Sequence, residues 1–488
     1  MALLTTTTGR RMMDGTARIM LAEALFPLTA LITTGYLTRR LGPEGYGLLA
    51  LTLTTIIWIE SAIVSFFAKA TIKFVGESTD WRPLGSTIIR LSFLAGSAAM
   101  LLLWMLAAPI GTILHEPKLA FYLRIGAIDI PILCAGQAYR SVLIGAAKFG
   151  GSALARAARW VCRLCIVVLL VEAGLSIAGA LLGVIGSSFV ELAVSRWYLG
   201  VKRPASRPRT GLPIRQYGTM LFVSSLCLIA YNGMDLFMLK VLGGTAAQSG
   251  IYGAAQSLSL LPGLFAWTFS SLLLATLSRL LAEHAQERAR ELVRDAMRVT
   301  LWLLPVAAII AGAASDIVQA VFGPAFVSAA PLLSVLVVGA VANVMMMVGI
   351  TIMTAAGMPA KTVLFTAPLV PLAFVGHLLV IPQWGAQGAA LVTLGVSFVG
   401  ASAGVAGVHA MWNVWPPSGT LVRCGVVALA AGAASMLWPT PGLVVFVKLI
   451  VLGMGCLLTY WGIGEFRHAE IAAVRALLLR KREPVAVT

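Results

Sequence analysis

Three arginines form a stripe along one apolar segment of the chain. Arg156, Arg159 and Arg163 recur at helical spacing, which puts them on one face of a helix. A guanidinium group is planar, stays charged and can donate two parallel hydrogen bonds to one phosphate. Together with Arg90 of another apolar segment, the stripe could bind a pyrophosphate group. Arg156 and Arg159 lie near the predicted helix end, so surface anchoring is an alternative role for them.

Carboxylates accompany these arginines at a similar predicted depth. Charged side chains inside a membrane are costly and are therefore functional candidates. At about 1.5 Å per residue, a mixed-sign set lies roughly 9–11 Å below one face of the predicted bundle. The set is Glu23, Glu60, Arg90, Arg163 and Glu191. It predicts a hydrated cavity open to that face, and neutral structural ion pairs are an equally weighted alternative.

Further charges lie nearer the opposite face. Asp129 and Asp235 sit deeper in their predicted helices and could bind a proton or Na⁺. The predicted ion-coupling residues are therefore Glu23, Glu60, Asp129, Glu191 and Asp235. Arg124 is predicted to join the substrate-binding arginines, although its side chain, like that of Lys240, could instead reach the water phase.

The chain as a whole is too apolar for a water-soluble protein. Of its 488 residues, 59% are hydrophobic and 11% charged, against about 45–50% and 25% in soluble domains. At roughly 20 residues per crossing, the apolar windows predict about 14 transmembrane helices. The longest polar stretch between them holds about 20 residues, too few for a catalytic domain. We therefore predict an all-α polytopic membrane protein that is not an enzyme.

Neither a metal site nor a cofactor is predicted. Cys162 and Cys165 have CxxC spacing, but they lie in the middle of a predicted helix without a partner histidine or a second cysteine pair. Small apolar packing explains them better.

The distribution of basic residues predicts the orientation. The net charge of +17 comes from 36 Lys and Arg against 19 Asp and Glu. Most basic residues fall in alternate loops, where they indicate the cytoplasmic side and contact with lipid headgroups rather than nucleic acid. Both termini are therefore predicted to be cytoplasmic. The charged segment 279–298 and the tail are predicted to be amphipathic helices at the membrane surface.

Two sequence echoes indicate an internal repeat. Residues 41–47 (LGPEGYG) are echoed by 250–253 (GIYG), and residues 179–182 (GALL) by 388–391 (GAAL). The offset spans an even number of helices, so the two copies share one orientation, as in transporters whose substrate path lies between two lobes. The predicted units are a first six-helix lobe (1–200), a cytoplasmic basic linker (201–215), a second six-helix lobe (216–412), helices 13 and 14 (413–465) and a cytoplasmic tail (466–488).

Longer motifs resemble those of a known family. Residues 36–47 (YLTRRLGPEGYG), 250–255 (GIYGAA), 321–324 (VFGP) and 381–390 (IPQWGAQGAA) are similar to signatures of the polysaccharide-exporting oligosaccharide flippases of the MATE-like MOP superfamily. The resemblance covers nearly the whole chain.

The resemblance implies two six-helix bundles in a V shape, often followed by two extra helices. It implies flipping of undecaprenyl-pyrophosphate-linked oligosaccharide to the outer leaflet of the bacterial inner membrane, through a cationic cavity and without a cofactor. The implied partners are this lipid-linked substrate, membrane lipids, H⁺ or Na⁺ and a polysaccharide polymerase complex. It assigns no role to individual residues of this chain.

Other functions remain open from sequence. An ion-coupled multidrug or metabolite exporter of the same fold is the main alternative, but it has no need of an arginine stripe. A peptidoglycan-precursor flippase fits the motif at residues 41–47 less well. A polysaccharide polymerase or ligase requires a large outward loop, and no predicted loop is long enough.

Overall fold

The computed structural model describes residues 7–77, 80–200, 222 and 225–465. Within these ranges the chain is almost entirely helical and has no strand, which confirms the predicted class. Long apolar segments favour helices in a membrane because a helix satisfies its own backbone hydrogen bonds. The linker 201–215 and the tail 466–488 lie outside the described residues, and the predicted unit boundaries stay predictions.

The helices are α1 (Thr7–Glu77), α2 (Arg82–Ile113), α3 (Pro117–Ala127), α4 (Asp129–Gly145), α5 (Phe149–Leu170), α6 (Ser176–Leu199), α7 (Met234–Val241), α8 (Ala246–Ser259), α9 (Leu261–Ala282), α10 (Gln286–Leu301), α11 (Leu303–Gly312), α12 (Ala314–Phe322), α13 (Ala330–Ala355), α14 (Pro359–Thr366), α15 (Leu369–Trp412), α16 (Ser418–Leu437) and α17 (Val444–Gly462). From α1 to α6, and again from α7 to α17, the helices follow one another with short connections. Residues 225–231 are also helical.

Nine candidate membrane-spanning helices occur in the described ranges, and three of them hold 51 or 52 residues. Each of these three contains a glycine in the left-handed region, namely Gly42 (φ 67°), Gly174 (φ 90°) or Gly385 (φ 53°). The chain reverses at these glycines, which adopt such angles without the Cβ penalty of other residues. Counting each of the three as two passes, and adding α7 and the pair α8–α9, the architecture fits the predicted 14 crossings.

Successive turns alternate between two faces of the bundle. We call them the Gly42 face and the Ala147 face. Residues with positive φ in turns of the Gly42 face are Gly42, His115, Gly174, Gly243, Gly323, Gly385 and Gly442. Those of the Ala147 face are Ala147, Gly200, His284, Gly357, Asn413 and Gly464. Helices α1 to α6 pack together as lobe one, and α7 to α15 as lobe two.

The two lobes contact each other near the Gly42 face through backbone atoms of α1 and α8, and we call this contact the seam. A Cβ on Gly47 would lie 1.9 Å from the carbonyl oxygen of Ala246. A Cβ on Gly250 would lie 1.9 Å from the carbonyl oxygen of Pro43. No real side chain tolerates such distances, so only glycine permits the two helices to approach this closely.

Polar contacts reinforce this seam. Arg39 donates to the carbonyl oxygens of Ala320 (2.5 Å) and Val321 (3.0 Å). Lys240 Nζ lies 2.9 Å from Glu116 Oε1, and its side chain is buried. Lys240 therefore pairs across the lobes, and the expectation that it reaches the water phase is wrong. In this conformation the lobes are closed at the Gly42 face.

Helices α16 and α17 stand outside the repeat and pack on lobe two. Lys448 of α17 is almost completely buried and lies 3.0 Å from Asp316 of α12. Ser435 of α16 donates to the carbonyl oxygen of Ile309, at 2.9 Å. A buried charge is stable only when paired, so these contacts fix the two added helices against the lobe.

The charged segment 279–298 is divided between two helices. Helix α9 continues to Ala282, and α10 begins at Gln286 and is followed by α11. The apolar face of α10, with Ala289, Val293 and Met297, is buried against protein. Its amphipathic pattern matches a helix on a membrane and a helix packed on a lobe equally well.

Candidate functional site

Lobe one contains a network of three arginines and two glutamates. Arg156 Nε lies 2.8 Å from Glu23 Oε1, and Arg159 Nη1 lies 2.7 Å from Glu191 Oε2. Arg140 bridges the two, at 3.5 Å from Glu23 and 3.5 Å from Glu191. Glu191 is fully buried, whereas the Glu23 side chain is 37% exposed. The predicted alternative of structural ion pairs therefore holds for these residues.

An aromatic ring and an amide orient the arginines of this network. The Trp160 ring has Arg156 at 5.1 Å and Arg159 at 5.5 Å from its centroid. Arg140 donates to Gln137 Oε1 at 2.6 and 3.0 Å. Cation–π contacts and a fixed acceptor restrict the guanidinium planes, so their remaining N–H groups have defined directions.

A pair of carboxyl groups lies beside this network. Glu60 and Asp129 are both buried, and their carboxyl groups interact electrostatically. Asp129 opens α4 where Ile128 interrupts the run from α3, so the helix N-terminus favours its negative charge. Glu60 Oε1 and Asp129 Oδ1 have no hydrogen-bond partner among the described residues. Two such oxygens leave room for a proton or another small ligand.

Arg163 is the cation that faces this pair. It lies one turn beyond Arg159 on α5 and is partly exposed. The carboxyl groups of Asp129 and Glu60 interact electrostatically with its charge. Unlike Arg156 and Arg159, it makes no ion pair or hydrogen bond with any residue that the structure describes. Arg163 is therefore a deep guanidinium with free donors.

Arg90 and Arg124 lie apart from this centre. Arg90 is exposed on the face of α2 that also exposes Leu94 and Leu101. The Arg124 side chain is exposed near the end of α3. Neither forms an ion pair with any described residue. The structure does not bring these two arginines into one group with the α5 stripe.

Lobe two has a smaller polar centre built on one carboxylate. Asp235 is buried in the first turn of α7 and accepts hydrogen bonds from Tyr252 (2.6 Å), Gln256 (3.2 Å) and Thr393 (3.2 Å). His377 of α15 interacts with it electrostatically. Neutral donors thus satisfy the negative charge of Asp235.

Several functional candidates were missed from sequence. The missed residues are Arg140, Gln137, Trp160, Tyr252, Gln256 and Thr393. Arg140 was counted with the loop charges, but α4 continues to Gly145 and keeps it inside the helix. Tyr252 had a signal, since it lies in the echoed motif at residues 250–253. Nothing in the sequence indicated a role for the hydroxyl and amide residues, because such side chains are common in any membrane helix.

The fold and the site define a class, a polytopic helical membrane protein with two lobes. The computed structure is similar to that of the lipid II flippase MurJ in its inward closed conformation, with a TM-score of 0.73, 11% identity and coverage of 91% of this chain and 98% of that chain. It is also similar to inward-facing (TM-score 0.66, 13% identity, 84% and 96% covered) and outward-facing (0.60, 14%, 88% and 98%) structures of multidrug resistance MATE transporters.

The family follows from the sequence match. Residues 12–281, more than half of the chain, match the model of the family described as "Polysaccharide biosynthesis protein". The chain belongs to this family, as its motifs predicted. No curated protein matches the sequence.

Proposed function

We propose that this protein flips undecaprenyl-pyrophosphate-linked oligosaccharide across the bacterial inner membrane by alternating access between its two lobes. Membership of the polysaccharide biosynthesis family and the fold in common with a lipid II flippase support this substrate class. The single observation that carries the proposal is Arg163, which makes no ion pair or hydrogen bond with any described residue and interacts electrostatically with the pair of Glu60 and Asp129.

The charges of lobe one fit an anionic ligand. Glu23 and Glu191 compensate the arginines nearer the Ala147 face, so those side chains mainly hold their places. Arg163 retains free donors for a phosphate oxygen. When Glu60 and Asp129 carry protons, the charge of Arg163 is available to the phosphate. When both carboxyls are ionised, they compete with the phosphate for it. Coupling to H⁺ or Na⁺ would act through this competition, with Asp235 as a second ion site.

The proposed cycle also fits the seam between the lobes. The lobes are closed at the Gly42 face. If the Ala147 face is cytoplasmic, as the basic loops predict, this conformation takes up substrate from the cytoplasmic leaflet. The cytoplasmic termini, the inner-membrane location and an associated polymerase complex are parts of this proposal.

Genetic complementation tests it. The gene is deleted in its host, and wild type, Arg163→Ala, Arg163→Lys and the matched control Arg90→Ala are reintroduced. We expect the deletion to lose surface polymer and to accumulate lipid-linked oligosaccharide on the cytoplasmic side. Wild type and Arg90→Ala should restore export. Arg163→Ala should lower it at least about tenfold, the loss of roughly 1.4 kcal/mol, and Arg163→Lys should be intermediate because it lacks the paired donors.

Two outcomes contradict the proposal. Full rescue by Arg163→Ala would move the phosphate site away from this arginine. Unchanged surface polymer in the deletion strain, with altered sensitivity to drugs, would replace the flippase by the multidrug exporter.

A further inference from the structure

A groove of about 300 Å³ opens between α11 and α17, away from both polar centres. Its lining is almost wholly apolar. Pro305, Ile309 and Tyr460 form its buried floor, and the exposed Val306 and Leu457 line it as well. In a membrane this groove faces hydrocarbon, because it lies on the outer side of two crossing helices.

The groove is open because one residue of α17 lacks a side chain. Gly453 lines it, and a Cβ added there would meet no atom within 4 Å. Along α17 the lining extends from Ile450 to Tyr460. At 1.5 Å per residue this is about 15 Å, or half of a hydrocarbon core about 30 Å thick. The groove therefore has the depth of one leaflet, and its Tyr460 end lies at the Ala147 face.

Basic side chains stand at that end of the groove. Arg298 lies over the Trp302 ring at 5.2 Å and binds Glu465 at 3.0 Å. Arg423 binds the other oxygen of Glu465 at 2.9 Å, and its side chain is 46% exposed. Arg294, one turn before Arg298, is exposed as well. Exposed guanidinium groups at headgroup level attract anionic lipid.

We propose that this groove binds one acyl chain of an anionic phospholipid, whose phosphate lies at Arg423. The apolar lining, the one-leaflet depth and the cationic end each match a part of such a lipid. The bound lipid would join α17 to α11 of lobe two, next to the charge cluster around Glu465. This site is separate from the proposed substrate path and does not depend on it.

Native mass spectrometry of the purified full-length protein tests the site. Delipidated protein is titrated with phosphatidylglycerol and, separately, with phosphatidylethanolamine of the same acyl chains. We compare wild type with Gly453→Leu, which fills the groove, and with Gly455→Leu. Gly455 is the matched control, because it lies on the same helix with equal free space but outside the lining.

We expect wild type and Gly455→Leu to bind one phosphatidylglycerol at least tenfold more tightly than phosphatidylethanolamine. Gly453→Leu should weaken phosphatidylglycerol binding at least tenfold. Arg423→Gln should remove the preference for the anionic lipid and keep the fold, since Arg298 and Thr420 still bind Glu465. If Gly453→Leu does not fold, Ile450→Trp fills the same groove from an exposed position.

Three results would overturn the proposal. They are equal phosphatidylglycerol binding by wild type and the groove-filling variant, equal binding of the two lipids by wild type, and displacement of phosphatidylglycerol by equimolar undecaprenyl phosphate. The last result would assign the groove to a prenyl chain instead.

Discussion

The two lobes repeat one architecture but hold charge in different ways. Lobe one gathers four arginines around Glu23, Glu191 and the pair of Glu60 and Asp129. The polar centre of lobe two is built on Asp235, which neutral hydroxyl and amide groups satisfy. A network of many charges can exchange an internal partner for an external anion. A single charge with neutral donors can only gain or lose a small cation. This difference supports the proposal that the anion binds in lobe one.

Removing Glu191, the buried acid of the arginine network in lobe one, should have the largest effect on stability. Glu191→Gln leaves Arg140 and Arg159 without their common partner. Breaking a buried pair by losing one member costs about 3–5 kcal/mol. We expect a corresponding loss in the free energy of unfolding, measured by titration with SDS or by a thermal shift in detergent.

Glu23→Gln is the matched control for that change. It removes the same charge from the same network at a side chain that is 37% exposed, so solvent compensates the arginines in part. If Glu23→Gln lowers the free energy of unfolding as much as Glu191→Gln does, solvent exposure of the side chain does not determine the cost of removing the charge. Equal stability of wild type and Glu191→Gln would contradict the difference in charge pairing between the two lobes.

The equivalent change in lobe two should cost less. Asp235→Asn retains one oxygen acceptor among the same neutral donors, so about 1–2 kcal/mol should be lost through an imperfectly satisfied hydrogen bond. Stabilisation of the purified protein by Na⁺ or by protons should disappear in the same variant. If Asp235→Asn destabilises as much as Glu191→Gln, lobe two holds its charge no differently from lobe one.

Arg163 should show almost no effect on stability. Because it has no ion pair or hydrogen bond with a described residue, Arg163→Ala should change the free energy of unfolding by less than about 1 kcal/mol. Arg159→Ala, one turn away, should cost several times more, since it leaves Glu191 short of its 2.7 Å partner. Both are measured in the same SDS titration. A large loss for Arg163→Ala would mean that it supports the fold rather than a ligand.

The smallest effect concerns Glu465, which lies beyond the last crossing on the side of lobe two. Burial alone would raise the pKa of Glu465, but hydrogen bonds from Thr420, Arg423 and Arg298 outweigh burial and lower it from its ordinary value of 4.5. A lowered pKa gives stability that is complete above the unfolded value and is lost as the pH falls through the folded one.

Acid should therefore destabilise wild type more than Glu465→Gln. The two curves of thermal stability against pH should run parallel above pH 5 and converge below about 4.5. Parallel curves over the whole range would mean that these hydrogen bonds do not favour the charged form.

Apolar length and glycine-bearing motifs predicted the fold well. The pairing of two lobes follows from motifs that are local in sequence. Depth along a helix was predictable only in part. It placed Glu23 and Glu191 at the level of the α5 arginines with which they pair. It placed Asp129 nearer the opposite face, whereas Asp129 interacts with Glu60. The direction in which a side chain faces around the helix axis was not predictable from the sequence. Arg90 shares the depth of the network but lies on an exposed face of α2, because depth depends on position in the chain while facing depends on which neighbours pack there.

The partners of the charged side chains were also not predictable from the sequence. Nothing near Lys240 in the chain indicates Glu116, which belongs to the other lobe. Asp129 and Asp235 were predicted as equivalent acids, yet one faces a second carboxyl group and the other faces Tyr252. The sequence echo paired Gly47 with Gly253, whereas the seam pairs Gly47 with Gly250.

That seam has the geometry of a twofold dimer interface enclosed within one chain. Gly47 approaches Ala246 as Gly250 approaches Pro43, at the same distance and through the same kind of atom. In an isologous contact the same patch serves both partners. A methyl group added to Gly47 or Gly250 would collide with the backbone of the other half. Substitution of either glycine by alanine is therefore excluded. Both halves of the gene must therefore keep a glycine at this contact, just as the identical subunits of a homodimer share one interface sequence.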